Sequence, residues 1–270
     1  MNAGSVRLSH EGPVALVRFD NPPRGYLDAA QTRELAGVVE ALAKDAATRA
    51  VVFAGAVPGV FIRHYDVSEI LAVAERVRGL PDEALAAAGR AGNEVTAVFD
   101  AIDTLTKPTI AAINGMCMGG GFELALCCDL RVTEPGEHRI GLPETRIGIF
   151  PGAGGTERLA RAVGEARALE LILRGRTAGP EEALALGVVH ELAPEGAVAR
   201  ALAIATELSK LPARALAEAK ALVKNRGGLA WADRHARSRE RFLAVLDDTE
   251  AERLMRAFLA EGEDIERPPA

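Results

Sequence analysis

The 270 residues, 49% hydrophobic and 26% charged, suffice for one or two ordinary globular domains with a sizeable core. A formal net charge of -6 without any Lys/Arg-rich run speaks against a nucleic-acid partner and against an anionic membrane surface. Three cysteines, Cys117, Cys127 and Cys128, are odd in number and sit in an apolar stretch, so they read as buried reduced thiols in a cytoplasmic compartment.

In chain order, "SVRLS" and "VALVRF" flank Glu11-Gly12-Pro13 with period-2 alternation, which predicts an antiparallel hairpin. The N-terminal stretch has no apolar signal region, so no export is expected. Asp28 caps a helix to about Asp45, and "AVVFAG" at 50–55 is a short apolar run of the kind buried on both faces of a sheet. A loop from Ala56 to Asp66 leads into a helix from Ser68; Pro81 breaks it, and a longer helix follows to about Leu105. "TIAAI" is a third buried strand, a turn at Asn114-Gly115 leads into a helix starting near Gly119, and "DLRVT" is a fourth strand. That alternation is α/β. From Gly155 onward the pattern is helical apart from "VVHEL". Helices over about 195–210, 213–225, 230–246 and 249–260 leave no second sheet to build, and no internal repeat is visible.

The window 109–128 is the most hydrophobic, but Asn114, Glu123 and its glycines make it a poor membrane span. "PGAGGTERL" at 151–159 is glycine-rich, yet it fails GxGxxG, and no GK[ST] or GxSxG occurs. The five histidines are too scattered for a metal site, and CxxC and HExxH are missing, so no metal is predicted. What remains is "MCMGGGFELALCC", where Glu123 stands alone on an apolar helix opened by three glycines. A strand, a turn and a glycine-led helix aim unpaired backbone N–H groups at the positive end of the helix dipole, a geometry that receives an oxyanion. Glu123 lies three residues beyond Gly120, so base and oxyanion donor would face one substrate. The competing reading has Glu123 hydrogen-bonded within the core or against a helix N-terminus.

"INGMCMGGGFELALCCDLRV", "GLPETRIGIFPGAGGTERLARAVG" and "RGRTAGPEEALALGVVHEL" resemble the crotonase family, the enoyl-CoA hydratases and isomerases, and the similarity covers nearly the whole chain. The resemblance implies a spiral of repeated ββα units over 1–195, a helical trimerisation region over 196–270, and an acyl-CoA thioester as substrate. It implies Glu123 and Glu144 as the catalytic pair, and the N–H groups of Tyr65 and Gly120 as the thioester oxyanion hole. Gly25, Arg63, Asp66, Val67, Met116, Gly119, Pro143 and Gly152 would bind substrate. Keeping both glutamates favours hydration of a 2-enoyl-CoA, or its reverse, with no cofactor beyond the CoA of the substrate. Homotrimers or hexamers are expected, and apolar residues such as Leu202, Leu216, Leu222, Trp231, Phe242, Leu246, Leu254 and Phe258 imply a partner surface.

The chain departs from the family at Arg63-His64-Tyr65, where Ala-Gly and a small residue are usual, at Gly25-Tyr26-Leu27, and in lacking the Lys-Arg that often follows the last helix. A Tyr65 ring beside the thioester would reshape the acyl pocket. His64 would need a glycine-like backbone, and reads either as an outward-facing loop residue or as a local acid/base or CoA contact. An isomerase, thioester hydrolase or lyase, or a CoA-ester-binding subunit without activity, are the alternatives these departures leave open.

Overall fold

The computed structural model describes residues 4–224 and Arg253. β1 (Ser5–Glu11) and β2 (Val14–Asp20) form the expected antiparallel hairpin. β2 is buried because β3 (Ala50–Gly55) pairs parallel on its other side. Between them runs α1 (Ala29–Lys44), capped as predicted by Asp28, whose carboxylate accepts the Gln31 N–H at 2.8 Å. Its buried stripe is Leu35, Val39 and Leu42.

From β3 onward the chain repeats one move. β3 is followed by β4 (Gly59–Ile62) and the helices α2 (Val67–Val77), α3 (Asp82–Ala91) and α4 (Glu94–Thr104). β5 (Thr109–Ile113) is followed by β6 (Gly115–Met118) and α5 (Gly120–Cys127). β7 (Leu130–Thr133) is followed by β8 (Ile140–Gly141), a 3-10 turn over Glu144–Ile147, α6 (Gly155–Val163) and α7 (Glu165–Leu173). Each first strand joins a six-stranded sheet of order β1-β2-β3-β5-β7-β10, and each second strand a four-stranded sheet of order β4-β6-β8-β9. β3, β5 and β7 are parallel neighbours, as are β4, β6 and β8, so the ββα units wind as a spiral. β9 (Thr177–Ala178) and, after α8 (Pro180–Leu186), β10 (Glu191–Leu192) close the two sheets.

The large sheet is buried on both faces. One carries the main core, with Phe53, Phe99, Ile113 and Phe122. The other receives α9 (Ala197–Ser209) through Ala197, Ala201 and Ala205 against Val52, Ile110 and Val132. Alanines at four-residue spacing give that helix a flat stripe. α10 (Ala213–Val223) has no buried residue. The chain divides into two compact units, the first ending at Leu208 and the second starting at Ser209.

Four expectations are corrected. A second sheet exists, built from strands of two to four residues. The loop 56–66 contains β4, and the turn at Asn114-Gly115 enters β6 before the helix begins. Strands this short carry no readable alternation. The long helix before Leu105 is two helices, because Gly92 turns with φ 73° and Asn93 with Thr96 forms a capping box for α4. The C-terminal third holds β9 as well as the strand expected at "VVHEL". The helices expected over 230–246 and 249–260 lie outside the described residues, Arg253 apart.

Candidate active site

The small sheet sets the site. β4 and β6 run parallel, and β6 delivers the chain to Gly119, whose φ of 51° lets it turn directly into α5. The next turn packs against β4 closely: a Cβ on Gly121 would stand 2.2 Å from the Ile62 carbonyl oxygen. Gly120, the first residue of α5, consequently lies against Tyr65, and a Cβ built on it would be 3.4 Å from the Tyr65 nitrogen. Tyr65 bridges to Leu27, but that pairing uses the N–H groups of Leu27 and Asp66, at 2.9 and 2.8 Å, and not that of Tyr65. The Gly120 N–H belongs to the first helical turn and has no intrahelical acceptor. Among the described residues, two adjacent backbone donors therefore stand without a recognised protein acceptor at the positive end of α5.

Glu123, one turn into α5, is 4% exposed. Its Oε1 accepts the N–H groups of Ala153 at 2.8 Å and Gly155 at 2.9 Å. The glycine-rich "PGAGGT" turn does receive an anion, and the anion is the protein's own carboxylate. The competing reading of Glu123, a carboxylate bound at a helix N-terminus, is thus geometrically true, and both amides use the same oxygen, Oε1. Burial raises the Glu123 pKa, while the Gly155 and Ala153 N–H groups and the Arg158 charge pull it back.

Glu144 opens the 3-10 turn behind Pro143 and comes to Gly119 from the other side. A Cβ on Gly119 would be 3.3 Å from its Oε1. Its Oε2 is buried without a hydrogen-bond partner. Burial pushes the carboxyl up to about 7, and the nearby Glu123 charge adds to the rise. The two carboxylates flank Gly119 in opposite environments. One is held by two amides of another segment, and the other by its own backbone N–H alone, with one oxygen left over.

The unusual loop is pinned from several directions. Arg63 donates its N–H to the Gly25 carbonyl at 2.8 Å and its Nε to the Arg24 carbonyl at 2.9 Å, and accepts the Met118 N–H at 3.1 Å. His64 stacks on Tyr26 with centroids 4.3 Å apart, and its Nδ1 lies 2.7 Å from the Tyr65 carbonyl oxygen, which makes Nδ1 the protonated nitrogen. The positive φ angles nearby belong to Gly25 (68°) and Gly119 (51°). The Tyr65 ring is tethered at its far end. Its hydroxyl donates to Glu69 at 2.6 Å, and the same carboxylate accepts the Ala29 N–H at 3.0 Å. Burial and the Glu69 bond raise the phenol pKa.

Of the remaining residues singled out, Asp66 caps α2 through the Ser68 N–H at 2.8 Å, and Val67 begins that helix with an exposed side chain. Met116 pairs with Val60 in the small sheet, half-buried. Gly152 is exposed, and its neighbours Ala153 and Gly155 make the contacts to Glu123. Sequence reasoning missed Glu69, Asp103 and Arg158. Arg158, buried four residues after Gly154 on α6, was the one with a readable signal, a lone cation on the buried stripe of an amphipathic helix.

A strand–strand–helix spiral thus brings a buried and a half-buried glutamate and two backbone amides to one helix N-terminus. The family model for enoyl-CoA hydratase/isomerase matches residues 9–263, and the chain belongs to that family. It is 37% identical over 185 residues to the fatty acid oxidation complex subunit alpha of Idiomarina loihiensis, and 38% identical over 192 residues to the peroxisomal bifunctional enzyme of Danio rerio. These matches cover 67% and 71% of this chain but 25% and 24% of those proteins, so the chain spans about a quarter of the length of these relatives. Among solved structures, the enoyl-CoA hydratase of Bacillus anthracis matches with TM-score 0.82, 27% identity and 98% of both chains covered. DspI of Pseudomonas aeruginosa matches with TM-score 0.83, 28% identity and 98% and 96% of the two chains covered. The fold is the crotonase fold.

Proposed function

We propose that the chain is a lyase that hydrates a 2-enoyl-CoA to a 3-hydroxyacyl-CoA, or runs the reverse reaction, through an enolate. The observation that carries this reading is the asymmetry of the two carboxylates. Attack of water on C3 drives charge onto the thioester oxygen, where the Tyr65 and Gly120 N–H groups accept it; one such donor is typically worth ~3 kcal/mol. Glu123, with one oxygen held by two amides, is suited to the ionised form and acts as base toward water. Glu144, with a buried unpartnered oxygen and a pKa raised to about 7, keeps a substantial protonated fraction at neutral pH, and that form delivers its proton to C2. The proton taken by Glu123 and the proton given by Glu144 balance over one turnover. Both glutamates then exchange with solvent.

The substrate is the CoA ester itself, and no further cofactor or metal is invoked. Gly25, Arg63, Asp66, Val67, Met116, Gly119, Pro143 and Gly152 are assigned to binding it. Buried free thiols suit a cytoplasmic setting, and among the described residues no helix is long and apolar enough to cross a membrane. Assembly as a trimer or hexamer through residues 196–270 belongs to the same reading; α10 alone buries nothing. Light scattering at micromolar concentration should find a trimer or hexamer, and a monomer would contradict that part.

The chemistry is tested by mass spectrometry on a panel of acyl-CoAs including crotonyl-CoA. Gain of one water is expected. Unchanged mass with altered retention would mean an isomerase, free CoA a thioesterase, and tight binding without turnover a non-catalytic subunit.

A further inference from the structure

The anchors of Glu123 are backbone amides of a turn, and a glycine-rich turn has little stiffness of its own. What fixes it is Arg158 on α6. Its Nη1 donates to the Ala153 carbonyl at 2.6 Å, the carbonyl of the same residue whose N–H binds Glu123. Its Nε donates to Asp103 at 3.1 Å and its Nη2 to Asp100 at 2.6 Å, both on α4. The guanidinium and Asp103 are 6% and 4% exposed, so this is an interior ion pair and not a surface one. Gly154 is the position that admits it, since a Cβ there would stand 2.3 Å from Nη1. One planar cation, carried by α6, therefore ties α4 with two donors to the turn with a third.

We propose that Arg158 is a positioning residue for Glu123: by clamping the Ala153 carbonyl it holds the Ala153 and Gly155 N–H groups on Glu123 Oε1 and so fixes where the other oxygen meets water. The inference rests on the reading of Glu123 as the base. The charged groups around Glu123 are Arg158 and Glu157 on α6, Glu144 across Gly119, and Asp100 and Asp103 on α4 behind the guanidinium. Arg158 is the cation among them. Its field favours the ionised carboxylate, while Glu157 opposes it.

Two variants separate clamp from charge. Arg158→Lys keeps the charge but lacks the planar fork; kcat on crotonyl-CoA should fall about ten- to a hundredfold, as for a displacement of about 1 Å at a reacting group, with KM within a few-fold. Arg158→Met removes the charge too, and the acid limb of its kcat/KM profile should move to higher pH. Where that variant loses the fold by circular dichroism, Arg158→Met with Asp103→Asn removes the buried negative charge along with the cation and carries the same expectation. Folded variants with wild-type kcat and an unmoved pH profile would overturn the inference, as would a loss confined to KM. Glu123→Gln is run alongside: if it is inactive while the Arg158 variants are normal, the positioning role fails and the base survives. If Glu123→Gln turns over normally, the base reading fails and the inference with it.

Discussion

The two sides of Gly119 show what environment does to one functional group. On the α5 side, Glu123 is the more buried carboxylate, yet two amides and a nearby guanidinium lower the cost of its charge. On the 3-10 side, Glu144 is less buried but has an oxygen with no donor, and its pKa climbs to about 7. Burial raises both pKa values, and it is the donors around Glu123 that hold its rise in check.

The sharpest break of that comparison is removal of either carboxylate. Glu123→Gln and Glu144→Gln should each lower kcat on crotonyl-CoA by about 10²- to 10⁴-fold, the range of general acid–base groups, measured at saturating substrate. Glu123→Gln should lose the acid limb of the rate profile, and Glu144→Gln the alkaline limb near pH 7. Equal loss of both limbs in both variants would erase the distinction.

Crowding each carboxylate in turn is a finer probe. A Cβ on Gly155 would lie 2.8 Å from Glu123 Oε1 and 2.8 Å from its Cγ, whereas one on Gly119 would lie 3.3 Å from Glu144 Oε1. Gly155→Ala should cost more in kcat than Gly119→Ala. The latter also has to hold alanine at φ 51°, a strain of about 1 kcal/mol, so Gly119→Ala should lower the melting temperature even where kcat is retained.

Stability reads the same asymmetry without substrate. Glu144 binds its proton more tightly folded than unfolded, so its contribution is fully present below pH 4.5 and is lost as pH rises through about 7. Replacing it with neutral glutamine should stabilise the protein by about 1–3 kcal/mol at pH 8 and do little at pH 4, by urea denaturation at each pH. Destabilisation at pH 8 would mean that the charged form is favoured. The smallest effect is expected at His64, whose ring is occupied by Tyr26 and the Tyr65 carbonyl. His64→Gly should leave the pH profile unchanged and shift KM by a few-fold at most.

Legibility in the sequence followed strand length and separation. The six-residue run Ala50–Gly55 and the cap at Asp28 could be read locally, because apolar runs and caps are local signals. The small sheet could not, since its strands at Ile140–Gly141 and Thr177–Ala178 are two residues each and exist only through distant partners. The structural repeat left no sequence repeat, as each ββα unit shares a path and not side chains. Glu123 was visible as an isolated charge on an apolar helix. Its anchors thirty or more residues away in "PGAGGT" were not, and the same stretch looked like a failed phosphate loop. The tether of the Tyr65 hydroxyl was not legible either, because its partner Glu69 sits in the first turn of the next helix, where a glutamate reads as solvated surface.

The central claim is that Glu144 keeps a substantial protonated fraction at neutral pH while Glu123 does not share that environment. Carbon-13 NMR of glutamate-labelled protein, followed from pH 4 to pH 9 in the wild type and in Glu144→Gln, tests it directly. A carboxyl resonance titrating near about 7 that disappears in Glu144→Gln is the expected result. A wild-type spectrum in which every glutamate titrates near the ordinary value of 4.5 would contradict it.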